Sequence, residues 1–132
     1  MEFTGEFLKL DTPLSNGRVY RTEDVEKAIL EAKESISHGT FFVTSKFSGE
    51  RINLEDVVAV VKDLWIAGAS DTGIFAYATV NFINTEEGII CYNLAKEEFF
   101  KLSPQAMGEL NDEKEVTQLS FYGLLLTNER TF

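Results

Sequence analysis

The chain has 132 residues, with 12 Lys and Arg against 22 Asp and Glu, a formal net charge of −10, and 44% hydrophobic residues. That is the make-up of one folded domain with a buried core, and its acidic excess argues against nucleic-acid binding and against docking on an anionic membrane, since both need clustered cations. One cysteine, Cys91, and one histidine, His38, leave neither an internal disulfide nor a Cys/His metal cluster.

Alternation of Phe3, Gly5 and Phe7 with Thr4, Glu6 and Leu8 predicts a first strand to about Leu10. Ser15-Asn16-Gly17 is a turn signal, with Gly17 free to take positive φ. Thr22 is placed as a helix N-cap, followed by Glu23 and Asp24 in the first turn. Val25, Ala28, Ile29, Ala32 and Ile36 then form one apolar helical face, which His38 and Gly39 close.

Phe41, Val43, Ser45 and Phe47 alternate as a second strand, and Asn53 opens a short helical turn through Asp56. The β-branched run from Val57 to Val61 leads into a long strand to Ile66. A loop from Gly68 to Gly73 joins it to a strand from Ile74 to Phe82, and so short a loop permits only an antiparallel hairpin. Thr85, Glu86 and Glu87 start a second helix, with Ile89, Ile90, Leu94 and Phe99 as its apolar face through to Phe100. Ser103-Pro104 is read as a break in the chain. A last strand runs from Val116 to Thr127, apolar on both faces and therefore central or covered. One α+β domain spanning residues 1–132 results.

The N-terminus has no basic stretch leading into an apolar core, and the longest apolar run, Val57 to Val61, is far too short to span a bilayer. A soluble protein of a reducing compartment is the expectation, with no membrane, nucleic-acid or cofactor partner. A carboxylate-only Ca²⁺ or Mg²⁺ site stays open, but no EF-hand loop occurs and no metal is expected.

The stretches Gly5-Glu6-Phe7-Leu8, Asn16-Gly17-Arg18-Val19-Tyr20 and Val25-Glu26-Lys27-Ala28-Ile29 together resemble the prohead (procapsid) maturation proteases of T4-type tailed phages. Asp63-Leu64-Trp65 with Gly68, the strand Gly73 to Val80, and Ser103-Pro104-Gln105-Ala106-Met107-Gly108-Glu109-Leu110 extend the resemblance in the same order, from residue 3 to about 127. It implies a bent, barrel-like, mostly antiparallel sheet with two flanking helices, in a phage-head setting.

By that resemblance Ser103 falls on the family's nucleophile. The family's histidine position falls near Lys46, so a Ser103–Lys46 dyad is the one rescue of serine chemistry, and it needs a dehydrated amine. The family's Arg-Gly pair, associated with oxyanion stabilisation, is Gln105-Ala106 here, and Pro104 removes one backbone donor. The expectation is a non-catalytic, degenerate member: a virion structural or assembly protein, made in the host cytoplasm, docking on other head proteins or on itself. An active protease using Ser103 and Lys46, or an acidic soluble adaptor outside the phage setting, are the alternatives.

The bland readings are a helix-end residue for His38, a core thiol for Cys91, solvated faces for Glu86-Glu87 and Glu97-Glu98, and loop-locking roles for Arg18 and Tyr20. Aromatics are the candidate interface residues: Phe41, Phe42, Phe121, Tyr122 and Phe132. Consecutive strand residues point to opposite faces, so one of each adjacent pair should leave the main core.

Overall fold

A computed structural model describes residues 1–47, 49, 52–69 and 72–128. Among these the chain forms β1 (Glu2–Leu10), α1 (Thr22–Ser37), β2 (Phe42–Thr44), β3 (Val57–Ala69), β4 (Gly73–Phe82), α2 (Glu86–Lys96), β5 (Lys101–Leu110) and β6 (Val116–Thr127), with a 3-10 turn at Leu54–Asp56. The strands make one sheet in the order β1-β4-β3-β2-β6-β5. All pairings are antiparallel except β2 with β6, where Val43 lies beside Leu124 and Thr44 beside Leu125.

The sheet curls into a half-barrel. Its two outer strands, β1 and β5, approach each other, and Phe7 of β1 meets Phe121 of β6 edge-on at 5.7 Å between ring centroids. Helix α1 packs on β3 and β6, and α2 packs on β1, β3 and β4. One continuous apolar core results, with Phe7, Leu8, Val43, Val61, Val80 and Leu124 inaccessible to water. Strand β4 shows the half-buried rhythm clearly: Ala76, Ala78, Val80 and Phe82 are buried and the residues between them are not.

Several expectations are corrected. Thr22 is not the N-cap but the first helical residue; Arg21 precedes it in extended backbone without a side-chain cap bond. The anchoring comes from Asp11, whose carboxylate accepts from the Thr22 amide at 2.9 Å and from its hydroxyl at 2.6 Å. Strand β2 is three residues long, because the chain leaves the sheet after Thr44.

Helix α2 stops at Lys96 rather than Phe100, with Glu98 taking φ 62 to turn the chain into β5. Its buried face is Gly88, Cys91 and Ala95, while Ile89, Ile90 and Phe99 are exposed. Gly88 is what allows the close fit: a Cβ there would lie 2.1 Å from the Ile83 carbonyl oxygen.

The largest correction is β5. Ser103-Pro104 does not break the chain; Ser103 lies opposite Leu125 and Pro104 opposite Leu124 within a ten-residue strand. Because β5 ends the sheet order, a residue without an N–H is tolerated there. Strand β6 has the predicted bounds and an interior position, but a bulge opposite Gln105 and Ala106 inserts Tyr122 and shifts its parity. Phe121, Leu124 and Leu126 are buried, and Leu125, which regular alternation would put on the face of Phe121, is not.

Candidate functional site

Ser103 and Gln105 lie on β5, which runs beside β6 and, beyond it, β2. Thr44, Leu125 and Ser103 form one row across the three strands. At the usual inter-strand spacing the outer two backbones lie about 10 Å apart. Ser103 is half-buried near the start of β5, and its hydroxyl makes no hydrogen bond to any described residue.

Lys46 is exposed beyond the end of β2. Its contribution is a backbone one: its carbonyl accepts from Thr44 Oγ1 at 3.0 Å. His38 sits at the exposed C-terminal end of α1, where its amide donates to the Glu34 carbonyl. Neither the amine nor the imidazole is placed against the Ser103 hydroxyl by any described contact.

Gln105 and Thr44 are the buried polar side chains here, 1% and 0% exposed among otherwise apolar neighbours. Gln105 Nε2 donates to Thr44 Oγ1 at 2.8 Å and to the Leu124 carbonyl at 2.9 Å. The direction of each bond is dictated: a carbonyl can only accept, and the Thr44 hydroxyl spends its proton on Lys46. Gln105 Oε1 is left buried without a donor. Gln105 stands where the resemblance puts an oxyanion-stabilising arginine, and its amide nitrogen is committed to Thr44 and the Leu124 carbonyl.

Of the residues after β2, Gly49 and Ile52 reach this place. Ile52 packs so closely that a Cβ on Gly123 would meet its Cδ1 at 2.9 Å and the Phe42 carbonyl oxygen at 3.0 Å. The Tyr122 hydroxyl donates to the Gly49 carbonyl. Gly123 therefore gives Ile52 its room, and Tyr122 holds Gly49.

The other candidates are scattered. Burial pushes the Cys91 thiol up in pKa, and the Glu87 carboxylate adds to this, so the thiol is held in its unreactive form. Arg18 and Tyr20 lie in the strap before α1, whose amides and carbonyls bond to Asp11, Leu14, Lys114 and Val116. Among the described residues no three His, Cys, Asp or Glu side chains converge as metal ligands. No described helix is long and apolar enough to cross a membrane.

Of the candidate interface aromatics, Phe41 and Phe121 are core residues at 2% and 6% exposure, which removes both from any docking surface. Phe42 and Tyr122, their neighbours on the opposite strand face, are half-buried, and Phe132 lies outside the described residues. The exposed apolar side chains are others, Phe47, Leu54, Ile90 and Phe99 among them. A sequence pattern could have pointed there: Gly88, Cys91 and Ala95 at helical spacing mark a small-residue packing face, which turns Ile90 outward.

No protein-family profile matches the sequence, and no curated protein matches it either. Among solved structures, the capsid assembly protease gp21 of bacteriophage T4 superposes with a TM-score of 0.77 at 15% sequence identity, over 94% of this chain and 80% of that one. The six-stranded curled half-barrel with its two helices is thus the fold of a phage capsid assembly protease, and at this identity the likeness is one of fold.

Proposed function

We propose that this protein is a non-catalytic component of tailed-phage head assembly, working by docking on other head proteins. The fold likeness to a capsid assembly protease supports the setting. The surroundings of Ser103 support the non-catalytic part of this reading: its hydroxyl has no hydrogen-bond partner among the described residues, and the matched base position holds the exposed Lys46. A serine hydroxyl without a base is a weak nucleophile, and an exposed amine has no dehydration to lower its pKa. Gln105, at the matched oxyanion-stabilising position, spends its amide donors on Thr44 and the Leu124 carbonyl.

On this reading the protein persists intact in finished particles, as a structural subunit does. A serine-reactive fluorophosphonate probe tests the chemistry. No labelling is expected at any pH where the fold is intact. Stoichiometric labelling at Ser103, or cleavage of a capsid precursor that disappears in Ser103→Ala, overturns the proposal in favour of a Ser103–Lys46 protease.

A further inference from the structure

The 3-10 turn at Leu54–Asp56 and the first turn of α2 face each other across a groove of about 530 Å³. Its apolar lining is Leu54, Val57, Ile83 and Ile90. Leu54 and Ile90 are 74% and 51% exposed, the reverse of what aliphatic side chains do when a fold can cover them. Glu55, Glu86 and Glu87 stand around this lining, all exposed. Among the described residues the ion pairs are those of Arg21, so none of the three carboxylates pairs with a described cation.

The walls are fixed before anything binds. The Ile83 amide donates to the Val58 carbonyl at 3.0 Å, and Thr85 Oγ1 accepts from the Gly88 amide at 3.0 Å. The backbone of Gly88 rests on the Ile83 carbonyl, and Ser45 Oγ donates to Glu87 Oε1 at 3.1 Å. A preformed concavity forfeits little ordering entropy on binding.

We infer that this groove docks a cationic–aliphatic segment of a partner protein, one or two Leu, Ile or Phe side chains flanked by Lys or Arg. The volume is that of a small-ligand site, enough for a few side chains and too small for a whole helix. The carboxylate ring selects the sign. Nucleic acid and anionic lipid are repelled, and a second copy of a chain with net charge −10 brings the wrong charge too. The inference stands on the groove alone and does not depend on whether Ser103 is inert.

The test is binding of a short labelled leucine–lysine peptide to the full chain, followed by fluorescence anisotropy and by amide chemical-shift mapping. Ile90→Ser should weaken binding roughly tenfold or more, the worth of burying one aliphatic side chain. Leu30→Ser, which removes a still more exposed leucine on α1, should leave it unchanged. Glu55→Gln with Glu86→Gln should weaken binding and flatten its salt dependence. Shifts should centre on residues 54–57 and 83–90, with thermal unfolding confirming that each variant is folded. No binding at millimolar peptide, equal weakening by Ile90→Ser and Leu30→Ser, or shifts spread over all acidic surfaces would each overturn the inference.

Discussion

Gln105 and Thr44, 61 residues apart in the chain, are joined by a buried hydrogen bond of 2.8 Å that ties β5 to β2 across β6. The amide nitrogen is committed to two acceptors, so the carbonyl end of Gln105 is the orphan. Gln105→Glu replaces the donor with a second acceptor facing the Leu124 carbonyl and buries a charge. We expect a loss of about 3 kcal/mol at neutral pH, read from denaturant midpoints. The penalty falls on the ionised form, so the introduced carboxyl titrates above the usual glutamate value of about 4.3. Stability should therefore recover as pH is lowered and decline as it rises through the carboxylate range. Gln105→Met, which removes the orphan acceptor together with the donor, should cost less than the glutamate variant; the opposite order would show that Oε1 is satisfied.

Gly88 in α2 is predicted to tolerate no side chain. Alanine in a helix interior ordinarily gains about 1 kcal/mol over glycine. Here the added Cβ would sit 2.1 Å from a backbone oxygen, and neither the helix nor the β4–α2 connection can yield without loosening Cys91 and Ala95 from the core. Gly88→Ala should lower stability by about 2–3 kcal/mol net. A thermal midpoint equal to or above that of the parent chain would sink this account of the packing.

The elements legible in the sequence are those whose pattern and ends agree. Helix α1 shows a face at Val25, Ala28, Ile29 and Ala32, and β6 runs between the Asn111–Glu115 bend and the end of its apolar residues. Strand β5 is not legible because Lys101–Leu110 holds Pro104 and Gly108 and has no clean alternation, its place at the sheet edge making such residues acceptable. The face of α2 is the inverse of the one its bulky residues predict, because the contact with Ile83 selects the smallest residues. At the candidate site, the resemblance marked Ser103, but Thr44 and Gln105 come together through sheet topology alone. The parity shift at Tyr122 likewise leaves no local mark.

Asp11 adopts φ 62 at the end of β1 and places both carboxylate oxygens on Thr22, acting as a helix cap supplied from another element. Asp11→Ala removes the cap and forces a Cβ-bearing residue without a local hydrogen bond into left-handed backbone, and should cost about 2 kcal/mol. Asp11→Asn keeps the backbone preference and one acceptor, and should recover at least half of that loss. Equal unfolding midpoints for the two variants would show that the α1 terminus does not depend on this carboxylate.

The Arg21–Glu115 contact at 2.7 Å fastens the start of α1 to the β5–β6 turn, where Val19 and Glu115 form a parallel bridge. Asn111 Nδ2 donates to the other oxygen of Glu115 at 3.0 Å. The Asn111 hydrogen bond, with Arg21 behind it, holds the Glu115 carboxyl below the usual glutamate range. A carboxyl depressed in the folded state binds its proton more readily when unfolded, so its stabilisation is complete above the unfolded value and drains away as pH falls through the folded one. The pair is exposed and the effect small, and added salt should shrink it further. In Glu115→Gln the stability curve should lose part of its acid limb and converge on that of the parent chain at low pH, while the two differ at neutral pH. Denaturant midpoints across an acid-to-neutral series check this; parallel curves separated by a constant gap would mean that Glu115 acts by packing and not through its charge.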